Sequence, residues 1–338
     1  MKAIAYRHPL PIDDPRALED MEIPEPAPGP LDLLVEVRAI SVNPVDTKIR
    51  RNVQPEGGQP KVLGWDVAGV VKAVGERVDL FAVGDEVFYA GALDRPGANS
   101  ELHVVDQRLA GHRPRSLDFA QSAALPLTAI TAWELLFERL GIAEGEASRG
   151  QRLLVVGAAG GVGSILVQLA HQLTGLTVIG SASRPETQQW VRERGAHAVI
   201  DHRRPLHEEL RRIGIDSVTH VASLTHTDQH LPAIVEALAP QGRLALIDDP
   251  ASLDAGLLKR KSLSLHWEFM YTRSLFQTED MIEQHRLLER VAGLVDAGVL
   301  KTTLGEHYGA IDAANLRRAH AQLESGTSKG KIVLEGFR

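Results

Sequence analysis

Apolar and polar positions change their spacing twice along the chain. Over residues 1–120 the apolar positions fall in short runs, MKAIAY, LLVEVRAIS, VAGVVKAVG and DEVFYA, separated by clusters such as PEPAPGP and PEGGQP. Short apolar runs bounded by Pro and Gly predict strands and turns, with Gly64, Gly69, Gly75 and Gly84 at turns or bulges. The stretch is therefore expected to be a compact all-β module. From Leu117 the spacing turns helical in DFAQSAALPLTAITAWELLFERL, where Asp118 suits an N-cap and Pro126 divides the run into two helices.

A βα alternation then begins. Strands are expected at Arg152–Val156, 176–180, 197–201, 217–222 and 242–247, with a helix-like segment in each gap and a sixth strand at 262–269. Right-handed crossovers of this kind build a doubly wound parallel sheet. After about residue 275 come two helix-like segments, MIEQHRLLERVAGLVDAG and AANLRRAHAQLESG, and a last strand, GKIVLEG. A lone terminal strand needs a sheet to join, and the N-terminal module offers one. The expected organisation is α/β, with a β-rich domain of residues 1–120 completed by 275–338 and a sheet domain of 121–274 inserted between.

The sharpest local signal is RLLVVGAAGGVGSILVQLA, from Arg152 to Ala170. An apolar strand runs into Gly157, Gly160 and Gly163 at spacing three, and Ile165, Leu166, Leu169 and Ala170 follow with helical period. One glycine suits a tight turn, one the close approach of backbone to a pyrophosphate, and one the packing of helix on strand. Phosphates would sit on the N–H groups at the helix start, where the macrodipole favours negative charge. An ordinary strand-to-helix turn is the simpler alternative, and the flanking strand and helix favour dinucleotide binding.

Composition narrows the remaining classes. The 338 residues are 43% hydrophobic and 24% charged, ordinary for a globular protein of two domains. The net charge of −7, with KRK at 259–261 the only basic run longer than two, argues against nucleic acid as a partner. There are no cysteines, so disulfides, thiolate nucleophiles and cysteine metal sites are excluded. MKAIAYRHPL has no signal-peptide pattern and no apolar run approaches the ~20 residues of a membrane helix, so a cytoplasmic location and no membrane partner are expected.

VLGWDVAGVVKAVGERVDLFAVGDEVFYA, LPLTAITAWELL, GAAGGVGSILVQLA and GKIVLEG, in this order, resemble the medium-chain dehydrogenase/reductase superfamily over nearly the whole chain. The resemblance implies a GroES-like catalytic domain and a Rossmann domain. It is closest to the quinone oxidoreductase (zeta-crystallin-like) branch, and SASRPETQQWV and HWEFMYTRSLFQTEDMIEQHRLL resemble a bacterial subgroup called zinc-type alcohol dehydrogenase-like. Zinc members carry an early Cys, the His of a GHE motif, a further Cys and a four-Cys lobe. Here those places hold Asn43, the run Gly64, Trp65, Asp66, and the short loop GALDRPGANSELH. A catalytic zinc needs three protein ligands and Trp65 cannot be one, so no metal site is expected.

The end of the second cofactor strand, GSASR, lacks the acid that would bind a ribose 2′-hydroxyl and offers Ser181, Ser183 and Arg184 instead, donors that suit a 2′-phosphate. Arg184 could equally be a solvated loop residue. His202, where related NADPH enzymes often carry Tyr, could serve the same phosphate or be an exposed loop histidine. By resemblance Asn43 and Asp46 form the floor of the substrate cleft, and Lys48 stands where relatives have Tyr. Asn43 as a turn residue and Lys48 as a surface charge are the plainer readings. Thr128 and Thr131 would approach the nicotinamide end, or cap a helix. The resemblance further places the cofactor against Gly161, Val162, Ser223, Leu224, Ile247, Phe269 and Lys331. His226 and His230, spaced i, i+4, are too few for a metal site. Trp267, Phe269 and Tyr271 follow the sixth strand, with core packing of at least two of them expected.

These readings together predict an NADPH-dependent, zinc-independent oxidoreductase that passes hydride to a quinone or an activated enone or alkenal, with Asn43, Asp46, Lys48 and Thr131 as its catalytic candidates. A zinc-type alcohol dehydrogenase and a non-catalytic, crystallin-like NADPH-binding protein are the alternatives. A homodimer through the edge of the cofactor sheet is expected as well.

Overall fold

The structure, a computed structural model, describes Met1–Phe337. The chain divides into two compact units, one of residues 1–130 together with the chain from 271 onward, the other of residues 131–270. The first unit is built on a seven-stranded sheet centred on the long strand Asp32–Val42, which pairs antiparallel with Val67–Val74, Leu102–Asp106 and Lys331–Glu335. The terminal strand GKIVLEG thus joins the N-terminal sheet as its apolar pattern requires. A small three-stranded sheet holds Lys2–Tyr6 between Glu19–Glu22 and Lys61–Val62.

The all-β expectation for residues 1–120 needs correction, because SVNPVDTKIR contains the helix Pro44–Asn52. Its start follows from local chemistry. Asn43 is extended at the N-cap, Pro44 supplies a helical φ at the first position, and Asp46 accepts the Asn43 N–H at 2.6 Å. Pro126 divides the next run as expected, into Phe119–Ala123, capped by Asp118, and Pro126–Trp133.

The second unit holds a six-stranded parallel sheet. Its order is Ala198–Ile200, Thr177–Ser181, Arg152–Val156, Val218–Ser223, Leu238–Leu246 and Ser264–Trp267. All six expected strands are present. The fifth begins earlier than 242, because Leu238 pairs with Val218 ahead of a register shift. The sixth is shorter than 262–269: Ser262 has left-handed backbone and ladder pairing ends at Trp267. Strand order reverses between Arg152–Val156 and Val218–Ser223, and ligands of such sheets bind beyond the carboxyl ends of strands at that reversal. No helix among the described residues is long and apolar enough to cross a membrane.

Candidate active site

The glycine turn lies at the strand reversal. Gly157 has φ +82°, a conformation closed to most side chains, and a Cβ there would meet Thr225 Cγ2 at 3.0 Å. A Cβ on Gly163 would lie 2.6 Å from Ala158 backbone, so only glycine lets the helix Gly161–Leu173 approach so closely. Ser164 N–H is returned to Gly160 O at 2.9 Å. The N–H groups of Gly161, Val162 and Gly163 form the first turn, where a helix has no acceptors of its own. This cradle fits a pyrophosphate in charge preference and donor chemistry. The next strand end lies beside it, with Leu224 N–H on Val156 O at 3.2 Å. Ser223 is buried with its hydroxyl 2.8 Å from that of Thr227.

At the end of Thr177–Ser181 the candidate donors separate into two roles. Ser181 is buried, and its hydroxyl accepts the Gly157 N–H at 3.1 Å and meets His202 Nδ1 at 3.3 Å. It braces the glycine turn. Half-buried Arg184 begins the helix Pro185–Glu193 and pairs with Glu186 at 3.2 Å. Arg203, missed as a candidate although visible in HRRP, chelates Asp201 and donates to Ser183 O at 2.9 Å. Burial, then His230, holds the His202 pKa below the ordinary histidine value. His226 and His230 do not share a helix face: His226 stands outside Thr227–Ala237 in left-handed backbone.

The first unit contributes a sealed polar cluster. Lys331 Nζ donates to Asp66 Oδ2 at 2.8 Å, to Val42 O at 3.1 Å and to Asn43 Oδ1. Asn43 Nδ2 donates to Asp66 Oδ2 at 2.8 Å and Ser41 O at 3.3 Å, and Asp66 Oδ1 accepts Leu127 N–H at 2.8 Å. An ammonium has three donors and an amide two, so every N–H of both side chains is taken. Lys331, expected at the cofactor, and Asn43, expected at the substrate, thus turn their donors toward each other and Asp66. Burial is the main influence on both carboxyls: it raises Asp66, and it raises Asp46 to about 7 against the pull of the Asn43 N–H and Lys331. Tyr271, buried in this unit, lies where both carboxylates further oppose its ionisation. Asp66 and Tyr271 were not singled out as site residues; the only sequence signal for Asp66 was its place in the GHE-like triplet.

The remaining candidates scatter. Lys48 is exposed on Pro44–Asn52, Thr128 is buried with its hydroxyl on Leu125 O at 3.1 Å, and Thr131 is buried. Ile247 is half-buried just past the fifth strand. Core packing of the aromatics after the sixth strand holds for Tyr271 alone. Trp267 is 51% and Phe269 48% exposed, because alternation at this sheet edge turns Glu268 inward between them.

Zinc does not fit the first unit's residues. At the places where the resemblance sets zinc ligands, this chain has an amide whose two N–H groups are both taken and whose oxygen accepts from an ammonium, and an indole whose N–H bonds Ala92 O at 3.1 Å. An ammonium already neutralises the adjacent carboxylate.

Known proteins resemble this chain over nearly its whole length. Residues 29–112 match the alcohol dehydrogenase GroES-like domain family, and residues 194–334 the zinc-binding dehydrogenase family. A zinc-type alcohol dehydrogenase-like protein of Staphylococcus epidermidis is 36% identical over 336 residues, 99% of each chain. A solved Rhizobium etli structure, whose name refers to zinc-dependent alcohol dehydrogenase, is 54% identical with TM-score 0.97, covering 100% of this chain and 98% of that one. Escherichia coli quinone oxidoreductase, solved in complex with NADPH, is 27% identical with TM-score 0.83, covering 99% of this chain and 100% of that one.

Proposed function

The chain belongs to the medium-chain dehydrogenase/reductase superfamily, and from that premise we propose that this oxidoreductase is NADPH-dependent, works without zinc, and reduces a quinone or an activated enone or alkenal. When bound, the nicotinamide cofactor supplies the hydride; the chain's own residues bind, orient and exclude water. The N–H groups of Gly161 to Gly163 hold the pyrophosphate. Arg184 and Arg203 face the 2′-phosphate, and Ser223, Leu224, Ile247, Phe269 and Thr131 line the dinucleotide. The NADPH complex of the Escherichia coli enzyme supports this choice of cofactor.

The observation that carries the substrate class is the Lys331–Asn43–Asp66 cluster, with an ammonium among the residues where zinc relatives keep ligands. Oxidation of a simple alcohol requires a proton to leave the hydroxyl as hydride departs, a step that a Lewis acid assists. Hydride arriving at a quinone or enone delocalises its charge onto oxygen, where one or two donors stabilise it. With the amide of Asn43 engaged, Lys48 and Thr131 are the candidate donors. Offering NADPH with benzoquinone, naphthoquinone and a 2-alkenal, and NADP⁺ with a panel of alcohols, tests the reading. Faster turnover of the alcohols by metal-free protein refutes it.

The same reading includes a homodimer. Ser264–Trp267 is the edge strand of the parallel sheet and is followed by exposed Phe269. An unpaired edge with exposed aromatics favours pairing with a second copy.

A further inference from the structure

Two buried glutamates in the second unit have no part in the chemistry above. Glu134 opens the π-helical turn Glu134–Arg139, three residues after Thr131, and Glu268 follows the sixth strand. Both are buried, and both carboxyls gather on the guanidinium of Arg139. Arg139 Nε donates to Glu268 Oε2 at 2.9 Å, while its Nη2 lies 3.9 Å from Glu134. Two carboxylates have only acceptors to show each other, so a pair buried on one guanidinium can bond together only if one of them keeps its proton. Glu268 Oε1 is buried and accepts no donor present among the described residues, which leaves it open to a carboxyl proton.

The placement gives the pair a purpose. Just past the ladder, Glu268 N–H bonds Leu246 O at 3.0 Å, next to Ile247, and Phe269 comes directly after it. The π-turn adds a residue per turn, with Leu140 N–H on Leu135 O at 2.9 Å, and such turns cluster at functional sites. The segments carrying Thr131, Ile247 and Phe269 therefore meet at one buried contact. We propose that Glu134 and Glu268 share a single proton under the hold of Arg139, and that this acid–carboxylate bond positions Thr131, Ile247 and Phe269 for the nicotinamide end of the cofactor; the assignment rests on the dinucleotide reading above. Burial first and Glu134 second push Glu268 well above the ordinary carboxyl range, against Arg139. The other charged groups around it are Glu138, 3.9 Å from Arg139, and His266, whose own pKa burial and Arg243 hold low.

Glu268→Gln keeps both bonds without a titrating proton, since its amide donates to Glu134 and accepts from Arg139. Glu268→Leu keeps neither. NADPH affinity is measured by fluorescence between about pH 7 and pH 10, and thermal unfolding without cofactor over the same range. Wild-type affinity falls about tenfold toward the alkaline end as the shared proton is lost. In Glu268→Gln the affinity no longer follows pH, and in Glu268→Leu it is weak throughout. An alkaline limb unchanged by Glu268→Gln, or wild-type affinity in Glu268→Leu, overturns the positioning role. If no variant binds NADPH, the dinucleotide reading fails instead. Unfolding then decides on the pair alone: the wild-type melting temperature falls with alkaline pH more steeply than that of Glu268→Gln, and equal slopes refute the shared proton.

Discussion

Lys331 and Asp66 form an ion pair of 2.8 Å in which neither side chain has meaningful contact with solvent. Breaking one side of such a pair leaves a charge buried and unmatched. Lys331→Met should therefore destabilise the protein by about 3–5 kcal/mol in denaturant unfolding. Adding Asp66→Asn should recover part of the loss. A double variant as unstable as the sum of the two single ones would show that the residues do not depend on each other.

Two buried carboxyls beside one ammonium also give stability a pH slope. Asp46 has a folded pKa of about 7, above its unfolded value, so the folded state holds a proton that the unfolded chain gives up. Its contribution is complete below about pH 4 and is lost as pH rises through about 7. Asp46→Asn should flatten the melting temperature between those limits. An unchanged slope would contradict the assignment.

For the cofactor, Arg184→Ala should weaken NADPH about 10- to 100-fold and leave NADH nearly unchanged, the effect of losing one charge-assisted bond to a phosphate. Arg203 meets the same loop at Ser183 O, so Arg184→Ala with Arg203→Ala should lose more. Equal losses for both dinucleotides would remove the 2′-phosphate assignment.

Quinone or enone reduction should survive prolonged chelation, with elemental analysis confirming that no stoichiometric zinc is left. Activity that disappears in proportion to removed zinc would reverse the conclusion drawn from Asn43, Trp65 and Lys331.

Light scattering at micromolar concentration should give about twice the 36.8 kDa chain mass, and Trp267→Asp should shift the protein toward monomer. A wild-type monomer would count against pairing through Ser264–Trp267.

What could be read in the sequence was local. Gly157, Gly160 and Gly163 announce their turn because strand, glycines and helix are contiguous, and Pro126 divides its helix by its own covalent geometry. The helix Pro44–Asn52 was hidden by its brevity amid strand-forming sequence, although Asn43, Pro44 and Asp46 carry its start signals. Lys331 and Asp66 are 265 residues apart, and nothing in either neighbourhood indicates the other. Core packing for two of Trp267, Phe269 and Tyr271 was the expectation because composition cannot tell which face of a sheet edge is covered.

Ser41 Oγ–H donates to Ile332 O across 291 residues of chain, where the central strand of the first unit receives its last neighbour. On the ribosome, Asp32–Val42 emerges long before Lys331–Glu335, and until then the edge along Ala39 to Val42 has no strand beside it. Residues 131–270 are contiguous, so their parallel sheet can form while the later segment is still being translated. A nascent chain stalled before residue 331 would thus carry a finished inserted unit and an open, chaperone-accessible sheet edge.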